Sequence, residues 1–165
     1  MDFSSFRPAP PAKDAAGSSG KPIAFGLVQN GSSDTKSGDG TPFRHRVLLV
    51  EDQADVAKAT TMGLEYLGAE VTVATTGEEA LRLAPTMCPT LVLLDIDLPG
   101  ISGHEAGRRL RQMPELNSTV LVALTSWDTL EMRRLSAESG LTEHLVKPLD
   151  LDALAALLKR TAPAP

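Results

Sequence analysis

TLVLLDIDLPGISG, residues 90–103, decides how this chain folds. Its apolar core, Leu91 to Leu94, runs straight into Asp95 and is bounded by Pro89 on one side and Pro99-Gly100 on the other. A continuous apolar run this short, framed by breakers, reads as a strand buried on both faces. Such a strand belongs in a parallel sheet covered by helices. An acid at its carboxyl end then emerges where open α/β sheets place their chemistry.

Working outward, similar runs recur. Val47 to Val50 ends in Glu51 and Asp52, Val120 to Leu124 ends in Thr125 and Ser126, and Glu143 to Lys147 ends in Lys147-Pro148. Glu70 to Thr75 alternates around Val71 and Val73 and makes a fifth strand. Helical spacing fills the intervals. From Asp55 to Leu67 the stripe is Val56, Ala59, Leu64 and Leu67, with Gly63, and Gly68 stops it. Thr76 and Glu79 form a capping-box pattern that opens a short helix breaking at Pro85. Ser102 and Glu105 repeat the pattern for a helix to about Met113. Asp128 starts another, closed by Gly140, and Asp150 caps a last helix whose stripe is Leu151, Leu154, Ala155 and Leu158, with Pro163 ending it. Five strand–helix units in strict alternation predict a flavodoxin-like, doubly wound α/β fold: a five-stranded parallel sheet in the order 2-1-3-4-5.

The first 44 residues differ in character. They hold five Pro, six Gly and seven Ser without sustained apolar periodicity, so residues 1–44 read as a disordered extension and 45–162 as the folded domain. The one apolar island there, Pro22–Val28 (PIAFGLV), reads as a linker patch or as a short docking peptide. The formal net charge of −5 falls almost wholly on the folded part. An acidic domain without a basic stripe argues against nucleic acid as a partner. A single cysteine, Cys88, excludes an internal disulfide and fits a cytoplasmic location. No run approaches the length of a membrane span.

In this sheet order the carboxyl ends of the first, third, fourth and fifth strands surround one crevice. Glu51, Asp52, Asp95, Thr125 and Lys147 should therefore converge. Crowded carboxylates repel unless cations join them. Lys147 is one cation, and Mg²⁺, which takes oxygen ligands and favours sites shared with phosphate, is the other. Lys147 and the Thr125 hydroxyl could hold phosphoryl oxygens, and a carboxylate can accept the group as an acyl phosphate.

LLVEDQ (48–53), LVLLDIDLPGISG (91–103), VALTS (122–126) and HLVKP (144–148) together resemble the receiver domain of two-component response regulators, over residues 46–159 and in the family's order. The resemblance implies that Asp95 is the phosphoacceptor and that Glu51 and Asp52 bind Mg²⁺, with Asp95 and the Asp97 backbone carbonyl completing the protein's share of the ligands. It implies that Thr125 and Lys147 contact the phosphoryl group and that Lys147-Pro148 is a cis peptide. The donor would be a phosphohistidine on a sensor kinase or phosphotransfer protein. The implied output is a protein–protein interaction through the face of helix four, strand five and helix five, where Arg133, Arg134 and His144 are candidate contacts. With no effector segment after the last helix, the expectation is a stand-alone receiver that catalyses only its own phosphorylation and dephosphorylation.

The sequence also departs from the pattern. His144 stands at the switch position where the family often has an aromatic ring, so its coupling to Thr125 is an open question. Trp127, two residues after Thr125, could shield an acyl phosphate from water. Two rival readings remain. One is a receiver fold used as a docking module without phosphate. The other is a haloacid-dehalogenase-type phosphatase, suggested by Asp95-Ile96-Asp97; that motif should end the first strand, whereas here it ends the third.

Overall fold

The structure is a computed structural model, and it describes residues 44–162. The expected extension, except Arg44, lies outside the described residues, as do Pro22–Val28 and Pro163.

Apolar strand runs and amphipathic helices alternate as β1 (Arg46–Val50), α1 (Ala54–Tyr66), β2 (Glu70–Ala74), α2 (Gly77–Met87), β3 (Leu91–Asp95), α3 (Gly103–Arg111), β4 (Val120–Thr125), α4 (Leu130–Glu138), β5 (Glu143–Val146) and α5 (Leu151–Thr161). The strands form one parallel sheet in the order β2-β1-β3-β4-β5, as the alternation predicts. β3 is central, and every one of its side chains is buried, which is why its sequence is apolar without alternation. Successive side chains point to opposite faces. Leu48, Val50, Val92, Leu94, Leu121 and Ala123 accordingly pack with α2 and α3. Val47, Leu49, Leu91, Leu93, Val122 and Leu124 pack with α1 and α5. Each such leucine, removed from water, contributes about 1.5–3 kcal/mol before the cost of ordering it. β2 lies at an edge, and Val73 there is exposed.

Several helix readings need correction. α2 does not break at Pro85 but continues to Met87. Proline forfeits only its own N–H bond, and less than one further turn follows before Cys88 closes the helix in the left-handed region at φ 44°. The buried face of α1 is Ala57, Thr60 and Leu64 rather than the Val56–Ala59 side. In α5, Leu151 is exposed, and Leu157 joins Leu154 and Leu158 in the core. The cap of α4 is Thr129, whose hydroxyl accepts from the Met132 N–H, while Asp128 pairs with Arg133. α3 stops at Arg111, and a single 3-10 turn, Pro114–Leu116, buries Leu116 before β4. Thr76, Ser102 and Asp150 cap α2, α3 and α5 as read. In the Thr76 box the Glu79 carboxylate reaches back to the N–H of Thr75 rather than that of the cap residue.

Candidate functional site

Parallel strands that end together deliver their last residues to one edge of the sheet. Glu51 and Asp52 follow β1, Asp95 closes β3, Thr125 closes β4, and Lys147 follows β5. Register fixes the alignment: Asp95 pairs with Leu124, Thr125 pairs with Val146, and the Lys147 N–H donates to the Thr125 carbonyl at 2.8 Å.

Carboxylate oxygens of Glu51, Asp52 and Asp95 lie within 4.8 Å of one another. Lys147 Nζ donates to Glu51 Oε2 at 2.5 Å and to Asp95 Oδ2 at 2.8 Å. Both acids are almost wholly buried, at 1% and 2% side-chain exposure, whereas Asp52 is exposed. The other Asp95 oxygen, Oδ1, accepts the Asp97 N–H at 3.1 Å. Lys147-Pro148 is cis.

Burial, reinforced by the charge of Asp95, raises the Glu51 carboxyl above its ordinary value despite the Lys147 hydrogen bond and charge. Burial pulls the Lys147 ammonium down, but its bonds to Asp95 and Glu51, and their charges, more than offset this and leave it raised. Three carboxylates face one ammonium, so two formal negative charges remain uncompensated when all are ionised. An all-oxygen cluster carrying that excess fits a divalent hard cation.

Thr125 is fully buried, and its hydroxyl engages the main chain of Trp127, accepting from the N–H at 3.1 Å and donating to the carbonyl at 3.3 Å. These bonds are to the Trp127 backbone, and the residue is 68% exposed. His144 Nδ1 lies 3.2 Å from Ser136 Oγ on α4. Arg133 and Arg134 are exposed and already paired, with Asp128 and Glu138.

Other positioning residues carry no sequence signal of their own. A Cβ on Gly103 would stand 2.1 Å from the Asp95 carbonyl oxygen, so α3 abuts the end of β3 only because residue 103 is glycine. The Glu78 carboxylate reaches from α2 to the Ile101 N–H at 3.3 Å and holds the loop after Asp95. Beside the acids a groove of about 510 Å³ runs along α1, lined by Asp52, Ala57, Lys58, Thr61, Met62 and Val73.

Comparison with known proteins agrees with this geometry. Residues 47–159 match the family model described as "Response regulator receiver domain". The transcriptional regulatory protein TrcR of Mycobacterium tuberculosis is 36% identical over 121 residues, which cover 73% of this chain and 46% of TrcR. The chain spans about half the length of the first curated relatives it matches. Chemotaxis protein CheY4 of Vibrio cholerae superposes with a TM-score of 0.69 at 27% identity, over 73% of this chain and all of that one. The receiver domain of sensor histidine kinase PA1611 from Pseudomonas aeruginosa, whose structure holds a magnesium ion in the active-site cleft, gives 0.67 at 28% identity, over 72% of this chain and 97% of that one.

Proposed function

Because this chain belongs to the response regulator receiver domain family, we propose that Asp95 accepts a phosphoryl group from a phosphohistidine donor and that the domain signals through an altered protein interaction. The observation that carries the reading is Lys147, bonded at once to Glu51 and Asp95, with Asp52 in the same cluster.

In the transfer an Asp95 carboxylate oxygen forms the new O–P bond. The P–N bond of the donor breaks, and its imidazole leaves with the electron pair. The two hydrogen bonds to Asp95, from Lys147 Nζ and the Asp97 N–H, orient the carboxylate for this attack. Glu51, Asp52, Asp95 and the Asp97 carbonyl are the residues that would hold Mg²⁺, which when bound supplies positive charge for the phosphoryl oxygens. Lys147 exchanges its Asp95 contact for a phosphoryl oxygen. Thr125 leaves the Trp127 main chain to donate to another, which draws the β4–α4 loop inward and shifts the α4–β5–α5 face between two pre-existing conformations. The groove along α1 gives a sensor kinase or phosphotransfer protein access to the acids. On this reading the only chemistry is the domain's own phosphorylation and dephosphorylation.

The test is incubation of the full chain with Mg²⁺ and a small acyl phosphate, followed by intact mass. One added phosphate per chain, abolished in Asp95→Asn, supports the proposal; no addition, or addition that survives the substitution, rejects it. Sustained phosphomonoester turnover would instead favour a phosphatase. Docking without phosphate predicts equal partner capture by Asp95→Asn and by wild type loaded with Mg²⁺ and beryllium fluoride.

A further inference from the structure

α4 is the least anchored helix in the described domain. It buries a single side chain, and that side chain is the polar Ser136. At its N-terminal end Leu130 is 87% exposed, and residues 126–131 are all exposed. Its C-terminal end is tied to α3, because Arg108 Nη1 donates to Ser139 Oγ and Arg111 donates to the Gly140 carbonyl. A helix pinned at one end and weakly packed at the other can take two positions at small cost.

What Ser136 touches is therefore informative. Ser136 is 2% exposed, and its hydroxyl lies 3.2 Å from His144 Nδ1 on β5 and 3.4 Å from His104 Nε2 on α3. His144 Nε2 is closed off from solvent and has no hydrogen-bond partner among the described residues. His104 follows Gly103, the residue packed on the Asp95 carbonyl, whose N–H also bonds to the Ile96 carbonyl at 3.1 Å. A shift of the loop after Asp95 thus reaches His104 directly, and a shift of the loop after Thr125 reaches α4. Both routes from the acids end at the Ser136 hydroxyl.

We propose that Ser136 is the positioning residue of the conformational switch, its hydroxyl and His104 forming the seat that holds His144 turned in against α4. The inference rests on the phosphoacceptor reading above. The hydroxyl has one hydrogen for two ring nitrogens, so at least one imidazole must donate to it. The proton placement on one ring then constrains the other, and α3, α4 and β5 share one hydrogen-bonded element. The unpartnered Nε2 leaves the seat incompletely satisfied, the condition under which a small displacement near Asp95 empties it.

Ring ¹⁵N spectra of the histidines in the full chain test this, with Mg²⁺ and beryllium fluoride as the probe. In wild type the probe is expected to move the His104 and His144 ring signals together. Ser136→Ala should shift the His104 ring signals even without probe and remove their response to it. Because the probe favours the emptied seat, by linkage the substitution should also strengthen probe binding by about fivefold or more. Ser136→Thr, which keeps the hydroxyl, should restore all three. Unchanged His104 signals or weakened probe binding in Ser136→Ala overturn the proposal, as does any change that Ser136→Thr fails to reverse. If Ser136→Ala does not fold, His104→Gln must shift the His144 ring signals, and unchanged signals overturn the proposal. Failure of the phosphoacceptor reading looks different: the probe would leave the Asp97 amide unmoved in every variant, and the probe-free comparison would still decide the seat.

Discussion

Lys147 Nζ lies 2.8 Å from Asp95 Oδ2, across 52 residues of sequence and on the far side of β4 from β3. The contact exists because β3, β4 and β5 end at one level and Lys147 extends over Thr125, whose carbonyl holds the lysine N–H. The same ammonium reaches Glu51 at 2.5 Å, so one cation separates two buried carboxylates. Removing that cation tests the site more sharply than removing either acid.

Lys147→Met leaves Glu51 and Asp95 facing each other without a counter-charge. Breaking a buried pair this way costs about 3 kcal/mol, since the stranded charges must be desolvated or protonated. Urea unfolding at neutral pH without divalent cation should show that loss, and millimolar Mg²⁺ should recover much of it. An unchanged midpoint would mean the acids are solvated in solution.

Glu51 sets a pH dependence whose sign follows from its raised carboxyl. A folded-state value above the ordinary one near 4.5 means that the folded state holds the proton more tightly than the unfolded chain. The associated stability is fully present below the ordinary glutamate range and is lost as pH rises through the folded value. Without divalent cation, wild type should therefore lose stability relative to Glu51→Gln between acid and neutral pH. Parallel profiles for the two proteins would contradict the cause assigned here, burial beside Asp95.

β1, β3 and β4 and the acids at their ends were legible for one reason: buried parallel strands are apolar almost throughout, so the next polar residue marks the strand end, and strand ends are where the acids and Lys147 meet. Helix faces were less legible. α1 is rich in Ala and Thr, so two adjacent stripes have similar polarity, and only packing against the sheet and α5 selects Ala57, Thr60 and Leu64. Asp128 and Thr129 are both good caps, and the Arg133 pair removes the first from competition. Ser136 was invisible because a serine on a helix reads as surface; its significance comes from two histidines that are 32 and 8 residues away.

Gly103→Ala probes the junction between Asp95 and α3. The new Cβ would stand 2.1 Å from the Asp95 carbonyl oxygen and 2.8 Å from the Ile96 Cα, both backbone positions that cannot rotate away. Overpacking against fixed backbone should cost about 3 kcal/mol or more. Chemical denaturation reads the stability, and the amide shifts of Asp97 and His104 read the displacement. A loss under ~1 kcal/mol would show that α3 slides freely on β3, against the close coupling described here.

Mg²⁺ provides the remaining measurement, and its sign opposes that of protonation. Glu51, Asp52 and Asp95 leave excess negative charge beside Lys147, so a divalent cation bound to the folded state relieves repulsion that the unfolded chain does not feel. A ligand that binds only the folded state stabilises it by RT ln(1 + [L]/Kd), about 1.4 kcal/mol at ten times Kd. Melting in Mg²⁺ against EDTA should show a concentration-dependent rise of that size at neutral pH, shrinking as acid protonates the cluster. Asp52→Asn separates cation binding from folding, because Asp52 is exposed and its substitution should leave the EDTA melting point near wild type. If Asp52→Asn keeps the full Mg²⁺ response, the cation sits elsewhere and the proposed ligand set is wrong.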